Sequence, residues 1–315
     1  MMRTRRIGSL MAVAVLLAGA GMVAAEVIRE DIEFEERPVV ILLPKNYDKG
    51  NDRIPLILHL HGAVPFPDVP DLELDNSGYR DLPGKYRVMI AAPRAALNPV
   101  LGLIAWDSFF SLEGCGPQAE DDVGFLNRLL DALLASYPID AQRVYIYGYS
   151  SGAGMAYRMA CDYAERFAGI VAGAGFTLGD PLQCAPSVPI SVLQFHSMAD
   201  EIVLFDGGNF GDIVGDSGNP ACDYPGAIET ATQWADLNGC VGELEFGKKP
   251  KFDLTTIVEG KETTVNKFKQ CPNGIDVELW SMESVPHPPL FFKVGPNGIK
   301  TLAEKSWKFL RSHKR

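Results

Sequence analysis

The chain has 315 residues, 29 Lys and Arg against 40 Asp and Glu, a formal net charge of −11 and 47% hydrophobic residues. So acidic a protein is ill-matched to nucleic acid and to anionic membranes. Its length allows one large α/β domain or two small ones, and the absence of internal repeats, heptads and low-complexity linkers favours one.

Residues 1–25 read as an export signal. Arg3, Arg5 and Arg6 form a basic start, Ile7 to Val23 are apolar apart from Ser9, and Val23-Ala24-Ala25 precede a cut at Glu26. Losing three arginines and no acid moves the net charge from −11 to −14. The expected mature protein is therefore a single domain over 26–315, secreted to the periplasm or the exterior, with no stable membrane insertion after signal removal. Cys115, Cys161, Cys184, Cys222, Cys240 and Cys271 are even in number and lack any C-x-x-C, which points to disulfides rather than zinc. Loop economy pairs Cys161 with Cys184 and Cys240 with Cys271, leaving Cys115 with Cys222.

Val39 to Leu43 is the first predicted strand, and Pro55 to Gly62 the second, apolar enough to be buried on both faces. Residues 63–82 read as a surface loop with room for one short helix, and Tyr86 to Ala92 as the third strand. Pro93 to Gln118 is irregular and carries Trp106, Phe109 and Phe110. An amphipathic helix spans Ala119 to Tyr137, its first turn acidic as the helix dipole prefers. Strands follow at Val144 to Tyr149, Gly169 to Gly173 and Pro189 to Phe195. A Gly/Asp/Pro-rich loop covers 204–225, a helix Gly226 to Leu237, and a hairpin is expected around Glu259-Gly260-Lys261. Val277 to Met282 is the last strand and Asn297 to Arg311 a closing helix. Strands alternating with helices at this spacing predict a doubly wound, mostly parallel sheet with helices on both faces.

Gly148-Tyr149-Ser150-Ser151-Gly152 is G-x-S-x-G between a strand and a helix, a turn that would expose Ser150 as a nucleophile. The N–H of Ser151, at the helix start, would face a developing oxyanion, and the N–H of Ala63, in the loop after the second strand, is the expected second donor. A serine nucleophile needs a base. Of five histidines only His196, His287 and His313 follow Ser150. The order Ser, acid, His selects His287, in a loop stiffened by Pro286, Pro288 and Pro289. Asp200 is the expected acid, with Glu201 the runner-up. His59 and His61 form an H-x-H without a third ligand and read as structural; the chemistry calls for no metal or organic cofactor. Gly173 and Pro189 leave no room between them for a large cap domain, so an open cleft with space for a small, oligomeric or polymeric substrate is expected.

Several stretches resemble one family. They are Pro55 to Gly62, Asp121 to Leu126, Arg143 to Ser150, Phe167 to Gly173, and Phe195 to Asp200 with Phe205 to Gly208. Together they resemble the secreted α/β-hydrolase esterases of the polyhydroxybutyrate depolymerase and feruloyl esterase family, from about Pro55 to His287. The resemblance implies the α/β-hydrolase fold and a Ser150, Asp200, His287 triad. It implies a substrate-binding role for Trp106 and hydrolysis of feruloyl or hydroxyalkanoate esters. The chain departs from the family at Ala105, where a cysteine is frequent, at Ser197, where glycine is common, and at His287-Pro288-Pro289, where His-x-Trp-Pro is usual. A serine peptidase of the same fold and a non-catalytic cell-envelope binding protein are the alternatives.

Overall fold

The computed structural model describes residues 4–7, 10–14, 27–47, 52–66, 68–99, 101–108, 114–115, 120–211, 215–287, 292–296, 298 and 300–315, with backbone alone for 4–7 and 10–14. The sheet is built from β1 (Val27–Phe34), β2 (Arg37–Pro44), β3 (Ile54–Leu60), β4 (Met89–Pro93), β5 (Ile139–Tyr149), β6 (Gly169–Gly173), β7 (Ser191–Ser197), β8 (Thr263–Phe268) and β9 (Val277–Met282). Their spatial order is β1-β2-β4-β3-β5-β6-β7-β9-β8. From β4 to β9 neighbouring strands pair in parallel, whereas β1–β2, β2–β4 and β8–β9 pair antiparallel. A hairpin of Thr4–Ile7 and Leu10–Ala14 extends the sheet beyond β1, with Met11 opposite Glu33. The rest of the expected signal segment lies outside the described residues.

The longer helices among the described residues are α1 (Val69–Ser77), α2 (Asp122–Ser136), α3 (Ser151–Asp162), α4 (Ala227–Leu237) and α5 (Thr301–Leu310). The two-residue period of β5 sorts its side chains between two cores. Val144 and Ile146 join Leu126 and Leu129 of α2, Met159 of α3 and Trp234 of α4 on one face. Tyr145 and Tyr147 join Leu74 of α1 and Leu302 and Trp307 of α5 on the other. The expected doubly wound sheet with helices on both faces is therefore the observed one. Between β6 and β7 the only helical element is a short turn, Pro181–Gln183, so this connection inserts no helical cap.

Some elements differ from the sequence reading. Strand β1 was not expected; four of its eight residues are charged, yet Ile32 and Phe34 reach the core. The one short helix that the sequence allowed within 63–82 is present as α1, opened by a proline in its first turn and closed by Gly78 in the left-handed region at φ 81°. The hairpin expected around Gly260 is present only as isolated antiparallel bridges, Phe252 with Thr263 and Glu245 with Lys267, while the strand partner of β8 is the next strand, β9. Ala119 and Asn297, expected to begin helices, lie outside the described residues, as do Phe109, Phe110, Pro288 and Pro289. All three expected disulfides form: Cys115–Cys222, Cys161–Cys184 and Cys240–Cys271. No helix among the described residues is long and apolar enough to cross a membrane.

Candidate active site

Ser150 stands between the end of β5 and the start of α3 with φ 52° and ψ −118°, a conformation that costs a non-glycine residue energy and is held by its surroundings. Its N–H donates to the Gly173 carbonyl at 2.8 Å. The flanking glycines are required by contact. A Cβ on Gly148 would lie 2.0 Å from the Gly152 carbonyl oxygen, and one on Gly152 would lie 2.3 Å from that of Leu60. Helix α3 can therefore start hard against β3 and β5 only because both positions lack side chains.

The expected triad is brought together. Asp200 follows the end of β7 and His287 the end of β9, two strands that are neighbours in the sheet. His287 Nδ1 lies 2.7 Å from Asp200 Oδ2, and its Nε2 lies 3.2 Å from Ser150 Oγ. The other oxygen of Asp200 accepts from the N–H groups of Ile202 (3.0 Å) and Val203 (2.9 Å). Burial opposes the charge on Asp200. Its contacts with His196 and His287 and the Ile202 N–H outweigh that penalty and hold the carboxyl well below the usual range. An ionised Asp200 can only accept, so His287 Nδ1 donates and Nε2 is left bare to take the Ser150 proton. Glu201, the runner-up, instead accepts from the backbone N–H of His287 at 3.1 Å and so positions the loop, not the imidazole.

Three further side chains support this line, and none was picked out from the sequence as doing so. His196 is buried; its Nε2 lies 2.8 Å from the Val203 carbonyl and 3.4 Å from Asp200 Oδ2, which clamps the acid loop. Tyr149 packs on the His287 ring at a centroid distance of 5.6 Å. Ser197 donates to the Val285 carbonyl and accepts from Ala199 N–H at 3.1 Å, tying the loop of the acid to the loop of the base. The departure from glycine at position 197 thus supplies a hydrogen bond within the site.

Ala63 and Ser151 lie in the loop after β3 and in the first turn of α3. Among the described residues no carbonyl accepts either N–H, which leaves both available to an anion. His61 sits inside this loop as a neutral ring. Ala95 N–H donates to its Nε2 at 3.0 Å, so its Nδ1 carries the hydrogen and donates to the Gly62 carbonyl at 2.6 Å. Burial pushes its pKa down to about 4. His59 is likewise buried and pairs with Ser77 Oγ at 2.9 Å, in keeping with a structural role for both. No group of three His, Cys, Asp or Glu side chains arranged for a metal ion occurs among the described residues.

Trp106 is a correction. Its ring is 1% exposed and its Nε1–H donates to the His61 carbonyl at 3.0 Å, so it presents no face to a substrate. The sequence could not show this, because the acceptor is a backbone atom 45 positions away.

Residues 105–240, which carry Ser150 and Asp200, match the family described as Esterase PHB depolymerase. Feruloyl esterase B of Piromyces equi is 27% identical over 184 residues, covering 57% of this chain and 31% of its own. Poly(3-hydroxyalkanoate) depolymerase C of Paucimonas lemoignei is 27% identical over 158 residues, covering 48% of this chain and 30% of its own. The chain thus spans less than a third of the length of these relatives. The solved structure of acetyl xylan esterase from Aspergillus awamori superposes with a TM-score of 0.53 at 16% identity, covering 87% of this chain and 94% of that one, a likeness of fold. With its strand order and its serine elbow the chain has the α/β-hydrolase fold, and its residues 105–240 are similar to the esterase PHB depolymerase family.

Proposed function

We propose that the chain is an exported serine carboxylic-ester hydrolase that works through an acyl-enzyme, on feruloyl (hydroxycinnamoyl) or hydroxyalkanoate esters. The observation that carries the reading is the unbroken chain from Asp200 through His287 to Ser150 Oγ, at 2.7 and 3.2 Å. His287 Nε2 takes the Ser150 proton as Oγ attacks the ester carbonyl, and Asp200 stabilises the imidazolium. The N–H groups of Ala63 and Ser151 receive the oxyanion, each worth about 3 kcal/mol when well aimed. Imidazolium then returns the proton to the leaving alcohol, and water activated by the same histidine releases the acid.

Two features support the substrate class. The names of the relatives point to hydroxycinnamoyl and hydroxyalkanoate esters. Phe66, Met198, Ile202 and Leu204, on the loops that carry the oxyanion donor and the acid, are exposed, which suits a bulky or polymeric ester. The three disulfides support export.

The test is a competition between methyl ferulate and soluble hydroxybutyrate oligomers at equal concentration, run with the parent protein and Ser150→Ala. The parent should release one product acid preferentially, and Ser150→Ala should lose turnover by several orders of magnitude at an unchanged melting temperature. Near-parental turnover in Ser150→Ala would remove the serine mechanism; release of neither acid would remove the substrate class.

A further inference from the structure

The loop that offers the Ala63 N–H is held from outside its own strand. Val64 and Ile104 exchange both backbone hydrogen bonds, at 3.1 and 2.8 Å. Two residues further along, Trp106 Nε1–H reaches back to the His61 carbonyl at 3.0 Å. Ala63 lies between these two points of attachment. The segment making them is anchored in turn. Asp107 N–H donates to Asp122 Oδ2 at 2.9 Å, the other oxygen of Asp122 takes the Arg37 guanidinium, and the Ser108 carbonyl accepts from Arg158 at 2.8 Å. Trp106 and Asp122 are each 1% exposed, so these bonds form away from water, where losing a partner is costly.

We infer that Ile104–Ser108 is a brace for the oxyanion hole, with Trp106 and Asp122 as its positioning residues. This rests on the ester-hydrolase reading above. An oxyanion donor works only when it lies about 2.7–3.1 Å from where the charge develops, so a loop free to drift by a fraction of an ångström forfeits the transition state while still admitting substrate. Tryptophan suits the position because its donor projects from the edge of a large buried ring. Phenylalanine would fill most of the same space and leave the His61 carbonyl unpaired. Asp122 acts one step further back: it opens α2 and, from there, fixes the backbone next to Trp106.

The experiment compares the full chain with Trp106→Phe and Asp122→Asn on p-nitrophenyl acetate, with a boronic acid as the tetrahedral analogue. In Trp106→Phe, kcat should fall about 10- to 100-fold with KM within about twofold. Boronate affinity should weaken by the same factor as kcat/KM. Asp122→Asn should show the same pattern, with a smaller loss. Exchange of the Val64 amide, which needs no substrate, should speed up about tenfold in Trp106→Phe as its bond to Ile104 loosens. A raised KM at parental kcat would make Trp106 a pocket wall and overturn the inference. Unchanged kinetics with unchanged exchange would overturn it too. Failure of the hydrolase reading itself would show separately, as undiminished turnover in Ser150→Ala or none in the parent; amide exchange then decides the brace alone.

Discussion

At the scale of single residues, the site depends on which atom of each side chain is already committed. Asp200 spends one oxygen on the N–H groups of Ile202 and Val203 and offers the other to His287. An asparagine in its place would accept from the same backbone groups and point its amide N–H₂ at the imidazole. That reverses the tautomer and puts a hydrogen on the nitrogen that should receive the Ser150 proton. Asp200→Asn should therefore lower kcat about 10⁴-fold with little change in melting temperature. Steady-state hydrolysis beside thermal melts checks this, and a loss under tenfold would mean that Asp200 does not set the tautomer. Ser150, Asp200 and His287 were legible in the sequence because chain order and strand ends restrict them. The roles of Trp106 and His196 were not, because their partners are backbone carbonyls placed by tertiary folding. Between two adjacent acids the sequence favoured Asp200, and the loop turns Glu201 to the His287 backbone instead.

At the scale of elements, what the sequence showed was burial. Strands β3, β5, β6 and β7 read as apolar runs because helices cover both their faces. β1 was missed because its other face is charged and only part-buried, with Arg29 bonded to Asp31 and to Asp71 of α1, while Ile32 and Phe34 turn inward. β8 was paired backwards across Gly260, where only isolated bridges form; its strand partner β9 follows it after the short turn Pro272–Gly274. The cysteine pairs were legible from spacing, and their spacing also ranks them. Cys115–Cys222 closes a separation of 107 residues and Cys161–Cys184 one of 23. In the chain-entropy account, the Cys115→Ser/Cys222→Ser double variant should lose about 1 kcal/mol more than Cys161→Ser/Cys184→Ser. Urea unfolding of both proteins measures the difference; equal losses would show that native-state contacts outweigh loop length.

At the scale of the whole molecule, the buried histidines couple the fold to acidity. His59 lies under α1, stacked on Tyr147 at 4.6 Å, and burial pushes its pKa down to about 3. In the unfolded chain a histidine binds its proton near pH 6.5, so the unfolded state holds more protons throughout the interval between the two values. The contribution of His59 is complete above about pH 6.5 and is lost as pH falls toward its folded value, by about 1.4 kcal/mol per pH unit. His59→Gln, otherwise less stable, should have a stability–pH slope between pH 4 and 6 shallower by about that amount. Denaturant titrations across the range test it, and equal slopes would place a proton on His59 in the folded protein. The overall architecture was legible because alternating strands and helices leave few ways to bury both faces of one sheet.

The cysteine pairs are nested: Cys161–Cys184 lies wholly inside the span closed by Cys115–Cys222, and Cys240–Cys271 follows both. An oxidant that joins thiols in chain order would meet Cys115 and Cys161 first and couple the wrong partners. Maturation must either delay oxidation of Cys115 until Cys222 has emerged or undo the early bond by thiol exchange. Refolding of the reduced chain with a thiol–disulfide exchange buffer should therefore yield more native protein than rapid oxidation without one.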